Sequence, residues 1–269
     1  MIPNTAVYGI LGSNISYSLS PTIYRALFHR HKVDAIYNCF DINPSSLNDF
    51  LTSARTLPIA GFNVTIPFKE SVSSVINRRD NIVKATGSAN LVINKRGVLH
   101  AYNSDYAGIA ATIEGKLKCD IHGAEVAILG SGGSARTVFY YLASKRAASV
   151  TVYHRSGERE KAFSAWAQGA RRLTHYESQM LDNASSINTG CDLCINCTPI
   201  ALSKLIGSTA ISQLTRIFEL RYADTNFKRR THVDGKYMLA VQAANNFRIM
   251  TGIEVEPEDI VRVIRRASR

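Results

Sequence analysis

Two sets of residues in this chain have the types and spacing to do chemistry. The first is Gly130-Ser131-Gly132-Gly133-Ser134-Ala135, which fits G-x-G-x-x-A and follows the apolar run Val126-Ala127-Ile128-Leu129. In a dinucleotide site Gly130 permits the tight turn, Gly132 lets a pyrophosphate approach the backbone, and Ala135 lets a helix lie close to the strand. The N-terminus of that helix then offers N–H groups to negative charge. Alone the motif is weak; its position between a predicted strand and a predicted helix strengthens it. The second set is Ser18, Ser20, Asn63, Thr65 and Lys69, all near the carboxyl ends of predicted strands. Hydroxyls, an amide and one ammonium at such ends suit a small hydroxylated anion.

The strand after the glycine helix, Ser149 to His154, identifies the cofactor. An NAD site carries an Asp or Glu at that strand's end to bind the ribose hydroxyls. This chain has His154-Arg155-Ser156 and then Arg159. Arginines accommodate a 2′-phosphate that a carboxylate would repel, so the cofactor reads as NADP(H). The bland alternative is that Arg155 and Arg159 are solvated loop cations.

The elements that must position these groups follow an alternating pattern. Ala6 to Leu11 reads as a strand; Ser20-Pro21 reads as a helix start, with Ser20 as cap and Pro21 in the first turn. Ile36 to Ile42 is a second strand, Pro44 to Leu57 a second helix, and Ile59 to Ile66 a third strand, after which Pro67 opens a helix. This is a doubly wound α/β pattern. Asn94 to Gly97 reads as a hairpin turn into Val98 to Tyr102, and Asp105, at the next helix start, has the position of an N-cap. Further strands are predicted near Leu173, at Cys191 to Cys197 and at Ile217 to Tyr222. Met238 to Met250 is a helix with Gln242 as its inward polar exception, and Pro257 to Arg266 is a last amphipathic helix.

Composition narrows the function classes. The 269 residues carry 32 Lys plus Arg against 21 Asp plus Glu, a net charge of +11. Such a field attracts anions. The basic residues are scattered apart from Lys228-Arg229-Arg230 and Arg262, Arg265, Arg266 and Arg269, with no nucleic-acid motif beside them. A solvated cationic surface is favoured over specific nucleic-acid binding. No apolar run reaches the length of a membrane span and no signal peptide is evident, so a cytoplasmic protein is expected. Cys191, Cys194 and Cys197 mimic overlapping CxxC motifs, yet no further Cys or His pair completes a zinc set, and no metal is expected.

SYSLSPTIY, GFNVTIPFK, GSAN, YNSDYAG, LGSGGSAR, YHRS, INCTP and DGKYMLAVQAANNF occur in this order along nearly the whole chain. Together they resemble the shikimate dehydrogenase family. The resemblance implies an N-terminal α/β substrate domain, a Rossmann-like NADP-binding domain, and closure by C-terminal helices. It implies boundaries of 1–103 plus 236–269 for substrate binding and 104–235 for NADP. Lys69 and Asp105 would be the catalytic pair. Ser18, Ser20, Thr65, Asn90, Tyr222 and Gln242 would bind substrate. Gly130, Ser131, Gly132, Gly133, Ser134 and Ala135 would hold pyrophosphate; His154, Arg155, Ser156 and Arg159 would hold the adenosine end; Thr198 and Gly235 would lie at the nicotinamide end. The implied activity is reversible NADPH-dependent reduction of 3-dehydroshikimate to shikimate, in chorismate and aromatic amino acid biosynthesis, by a monomer or homodimer. Its rivals are a quinate or aminoshikimate dehydrogenase and a non-catalytic NADP(H)-binding regulator. Two places depart from the family's usual pattern: His154 stands where Asn is common, and Ala223 to Asp234 is about a helix shorter than expected.

Overall fold

A computed structural model describes residues 5–169, 174–181, 187–222, 229 and 231–267. Leu173, the basic residues Lys228, Arg230 and Arg269, and most of the shortened stretch after Tyr222 lie outside the described residues, and the strand expected near Leu173 is found just beyond it at His175–Met180. The chain divides into two compact units, Met1–Asp105 with Ala240–Arg269, and Tyr106–Leu239. Among the described residues no helix is long and apolar enough to cross a membrane.

The first unit is built on a six-stranded sheet of order β2-β1-β3-β5-β6-β4. Strands β1 (Ala6–Gly12), β2 (Ala35–Asp41) and β3 (Ile59–Val64) are parallel, as the alternating pattern predicts. Then β5 (Leu91–Lys95) runs antiparallel to both β3 and β6 (Val98–Tyr102), and the short β4 (Arg78–Arg79) closes the edge parallel to β6. The hairpin turns on Arg96 and Gly97, with φ of 54° and 84°. Positive φ at both central residues matches the right-handed twist of the paired strands. Residues alternate across β1: Leu11 joins a core with Phe62, Val72 and Leu99, whereas Tyr8 faces Phe28 with ring centres 5.7 Å apart.

Helix α1 (Ser20–Arg30) starts one residue earlier than the sequence suggests. Leu19 takes the capping position and Ser20 is already helical, so Ser20 is not the cap. Ser18 does the local work instead, its Oγ accepting the Ser20 N–H at 3.3 Å. Helix α2 (Leu47–Thr56) follows a 3-10 turn at Pro44–Ser46. Pro67 does not open a helix: the Phe68 N–H donates to the Thr65 carbonyl at 2.9 Å, the Ile66–Pro67 peptide is cis, and α3 runs Lys69–Val75. After α4 (Asn81–Thr86) and β6 the chain enters α5 (Asp105–Ala110), extended by a π-helical turn at Ala111–Lys116.

The second unit holds a six-stranded sheet of order β12-β11-β10-β7-β8-β9 with every pair parallel. Its strands are β7 (Glu125–Leu129), β8 (Ser149–His154), β9 (His175–Met180), β10 (Leu193–Asn196), β11 (Ile217–Glu219) and β12 (His232–Asp234). Renumbered from β7, the order is 3-2-1-4-5-6, that of dinucleotide-binding sheets, and it reverses between β7 and β10. Val126 and Ile128 pack with Phe139, Leu142 and Phe163, while Ala127 and Leu129 pack with Tyr153, Cys194 and Ile217. Cys191 and Cys194 are therefore core residues, and the described residues contain no metal-binding cluster. Helices α6 (Gly133–Ser144), α7 (Gly157–Ala167), α8 (Leu202–Leu205) and α9 (Ser208–Gln213) connect these strands. Helices α10 (Lys236–Thr251) and α11 (Pro257–Ala267) complete the chain.

Asp80 shows how the fold sets up the site. Its carboxylate caps α4 by accepting the Val83 N–H at 2.6 Å and also accepts the Asn103 N–H at 3.0 Å, two residues before Asp105. Asp80→Ala is expected to lower stability by about 1–2 kcal/mol, read as a shifted urea midpoint; an unchanged midpoint would remove Asp80 from this role.

Candidate active site

In the first unit the carboxyl ends of β1, β2 and β3 are laced together. Ser13 N–H donates to the Ile66 carbonyl at 3.0 Å and Thr65 N–H to that of Leu11 at 2.9 Å. The Asp41 carboxylate, at the end of β2, accepts the N–H groups of Asn14 and Ile15 at 2.8 and 3.2 Å. These bonds hold the Ser18 and Ser20 loop beside the Thr65 turn. A Cβ on Gly12 would come within 2.7 Å of Thr65 Cγ2, so the close approach requires glycine.

Lys69 is the first residue of α3 and Asp105 the first of α5. Lys69 Nζ donates to Asp105 Oδ2 at 2.6 Å, with side chains 16% and 5% exposed. Asp105 is thus a partner of Lys69 rather than the helix cap its position suggests. Its other oxygen accepts Asn90 Nδ2 at 2.8 Å. Asn90 also donates to Ser104 Oγ at 2.9 Å and to Gln242 Oε1 at 3.2 Å, bringing α10 into the same network. The structure therefore gathers Lys69, Asp105, Asn90 and Gln242 into one buried cluster.

Two residues absent from the sequence-derived site, Ser104 and Asn246, belong to this cluster, together with Asn63 of the strand-end set. Ser104 N–H donates to Asn90 Oδ1 at 2.8 Å, Asn63 Nδ2 donates to the Asn90 carbonyl at 3.3 Å, and Asn246 Nδ2 donates to Gln242 Oε1 at 3.0 Å. Asn63 in turn accepts the Tyr37 hydroxyl at 2.6 Å. The signal available for Asn246 was its place one helical turn beyond Gln242.

In the second unit Gly130 has φ of 100°, and a Cβ there would meet Thr198 Cγ2 at 3.0 Å. Gly132 occupies the capping position of α6, whose first turn includes Gly133, Ser134 and the fully buried Ala135, with Ser131 in the turn before it. Thr198 follows β10, and its hydroxyl donates to Asn196 Oδ1 at 2.8 Å. The glycine turn and Thr198 thus meet where the strand order reverses. Ser156 caps α7 by accepting the Arg159 N–H at 3.4 Å, with Arg155 and Arg159 exposed on either side. Tyr222 lies just past β11, half-buried. Gly235 N–H donates to the Arg221 carbonyl at 2.9 Å, and a Cβ on Gly235 would lie 2.0 Å from the Leu220 carbonyl oxygen.

His154 parts company with its neighbours. It continues the face of Val150 and Val152, so its ring turns into the core, fully buried, 5.7 Å from the Phe163 ring. Neither ring nitrogen has a hydrogen-bond partner, and burial lowers the imidazole pKa. The structure does not bring this ring to the surface occupied by Arg155, Ser156 and Arg159.

Residues 10–92 match the family model described as the shikimate dehydrogenase substrate binding domain. The shikimate dehydrogenase (NADP(+)) of Pyrococcus furiosus is 31% identical, covering 96% of this chain and 95% of that protein. The enzyme of the same name from Clostridium perfringens is 30% identical, covering 93% of this chain and 94% of that protein. The crystal structure of shikimate 5-dehydrogenase from Thermus thermophilus in complex with shikimate superposes with a TM-score of 0.78 at 24% identity, covering 97% of this chain and 98% of that one, a likeness of fold.

Glu219 ends β11 almost fully buried, accepting Asn196 Nδ2 at 2.7 Å and the Leu202 N–H at 3.0 Å. Burial pushes its pKa from 4.5 up to about 7, against the opposing effect of these donors. The folded state therefore holds this proton more tightly than the unfolded state. The resulting stabilisation is present below pH 4.5 and is lost as pH rises through about 7. Urea melts of the parent and Glu219→Gln should show the variant gaining on the parent between pH 5 and about 7.5; a constant difference would contradict the assignment.

Proposed function

This chain belongs to the shikimate dehydrogenase family, and from that premise we propose that it interconverts shikimate and 3-dehydroshikimate with NADP(H). The observation that carries the reading is the Lys69–Asp105 pair, joined to Asn90 and Gln242 at the strand ends of the first unit. In this reading residues 1–103 with 236–269 bind substrate and residues 104–235 bind the cofactor.

The residues present fit NADP(H). Gly130 takes a φ of 100°, which side chains rarely adopt, with Thr198 close against it; the glycine turn opens α6 and lies at the reversal of a 3-2-1-4-5-6 sheet. No carboxylate ends β8, and the exposed Arg155 and Arg159 flank the N-terminus of α7. When bound, the nicotinamide supplies or accepts the hydride. The α6 N–H groups hold the pyrophosphate, Arg155, Ser156 and Arg159 grip the 2′-phosphate, and Thr198 and Gly235 line the nicotinamide end. The Ser18 and Ser20 hydroxyls donate to the substrate carboxylate, and Thr65, Asn90 and Gln242 bind the ring oxygens.

Reduction of a ketone places negative charge on oxygen, which requires a proton. Lys69, as an ammonium held in place by Asp105, stabilises that charge and donates the proton to the oxygen. In the oxidative direction its amine takes the hydroxyl proton. A positioned proton donor contributes roughly 10²–10⁴-fold.

The purified chain with shikimate and NADP⁺ should produce reduced cofactor, read by its absorbance, and folded protein without turnover would overturn the reading. Lys69→Ala is expected to lower kcat by roughly 10²–10⁴-fold with KM for shikimate changed only a few-fold. Near-parental turnover would take Lys69 out of the chemistry. Removing both arginines (Arg155→Ala with Arg159→Ala) should raise KM for NADP⁺ about tenfold or more, with little change for NAD⁺. Retained preference for NADP⁺ would show that the 2′-phosphate is held elsewhere.

A further inference from the structure

The Asn196 side chain, at the end of β10, has every hydrogen-bonding position taken, and its partners fix which atom each one meets. The Thr198 backbone N–H can only donate, so the Asn196 atom 3.0 Å away is Oδ1. The Thr198 hydroxyl donates to the same oxygen at 2.8 Å. The other end is then Nδ2, and its two hydrogens meet two acceptors at 2.7 Å each, the Ile200 carbonyl and Glu219 Oε1. Glu219 Oε2 accepts the Leu202 N–H at 3.0 Å. Asn196 is fully buried, with two hydrogens and two lone pairs all in use.

This one amide ties the turn at 198–200 to the strand before it. The backbone around the turn is anchored to the sheet: the Cys197 N–H donates to the Leu129 carbonyl at 2.9 Å, and the Leu220 N–H to that of Asn196 at 3.0 Å. Thr198 is thereby set beside the glycine turn, where a Cβ on Gly130 would stand 3.0 Å from its Cγ2. Without the Asn196 amide, the turn keeps only its internal bonds between Thr198 and Ile200, at 3.1 and 3.2 Å, and is released from β10 as a unit. The Thr198 N–H and the Glu219 carboxylate would each lose a partner, an unfavourable change for groups this deeply buried.

We propose that Asn196 is a positioning residue for cofactor binding: it ties the 198–200 turn to β10, so that Thr198 stays packed on Gly130 and the glycine turn stays open to the pyrophosphate. The proposal rests on the NADP(H) reading above, and Asn196 takes no part in proton or hydride transfer.

The test measures the dissociation constant for NADPH by its fluorescence, with no shikimate present, beside steady-state kinetics. Asn196→Ala should weaken NADPH binding about tenfold, with KM for shikimate at saturating cofactor within about twofold of the parent. Thr198→Ala removes the side chain that the turn holds against Gly130, so adding Asn196→Ala to it should cost little more. If the alanine variant fails to fold, Asn196→Asp carries the comparison. It keeps the shape but sets a carboxylate oxygen against the Ile200 carbonyl and Glu219, and it should also weaken NADPH binding. Adding Glu219→Gln returns a hydrogen between the two side chains and should recover part of that loss. Parental affinity in both Asn196 variants would overturn the proposal. So would losses from the two alanine changes that multiply, or a Glu219→Gln addition that restores the urea midpoint with no gain in affinity. A parent that binds NADPH yet leaves shikimate untouched would instead overturn the activity assignment.

Discussion

An ammonium and a carboxylate 2.6 Å apart and largely withdrawn from water form the constraint around which the first unit is built. Desolvating two such ions costs several kcal/mol for each, and their attraction repays this only if the remaining lone pairs and protons are also used. The second oxygen of Asp105 is occupied by Asn90, and Asn90 is held by the Ser104 N–H and by the strand pairing of its own backbone. The centre therefore draws on the starts of α3 and α5, the approach to β5 and the middle of α10. Removing one ion would leave the other buried without compensation, at a cost of about 3–5 kcal/mol. A pair kept at such expense among amides and a hydroxyl fits the proposed proton transfer better than a purely stabilising role.

In the second unit the governing constraint is close approach. A parallel sheet leaves its ligand site where the strand order reverses, and there the backbone must come near a phosphate without a Cβ in the way. Gly130 meets this with a left-handed φ and Thr198 against it, while the buried Ala135 keeps α6 tight on the sheet. In the proposed reading, charge selectivity falls to the exposed arginines of the loop after β8. Glycine at position 235 has a different origin: it is demanded by the Leu220 carbonyl and need not reflect nearness to a ligand.

Features that depend on local pattern were legible in the sequence. The glycine turn, the three parallel strands that begin the chain and the Arg96–Gly97 hairpin all follow from neighbours in the chain. Features that depend on distant partners were not. Asp105 looks like a cap until Lys69, 36 residues away, is seen against it, and Gln242 meets Asn90 across 152 residues. The motif resemblance, and not local pattern, pointed to the Lys69–Asp105 pair and placed Asn90 and Gln242 separately in the site. His154 was grouped with the loop arginines because it adjoins them, but strand alternation turns its ring the other way. The three-residue strand β12 carries too little pattern to be seen, and Ser20 lost its capping role to a helix that starts one residue early.

The most direct test of the central claim is a crystal structure of the chain with shikimate bound. The account predicts Lys69 Nζ within about 3 Å of a ring oxygen while still paired with Asp105, with the carboxylate of the ligand at Ser18 and Ser20. Shikimate seated elsewhere, or bound with the ammonium turned away from every ring oxygen, would contradict it.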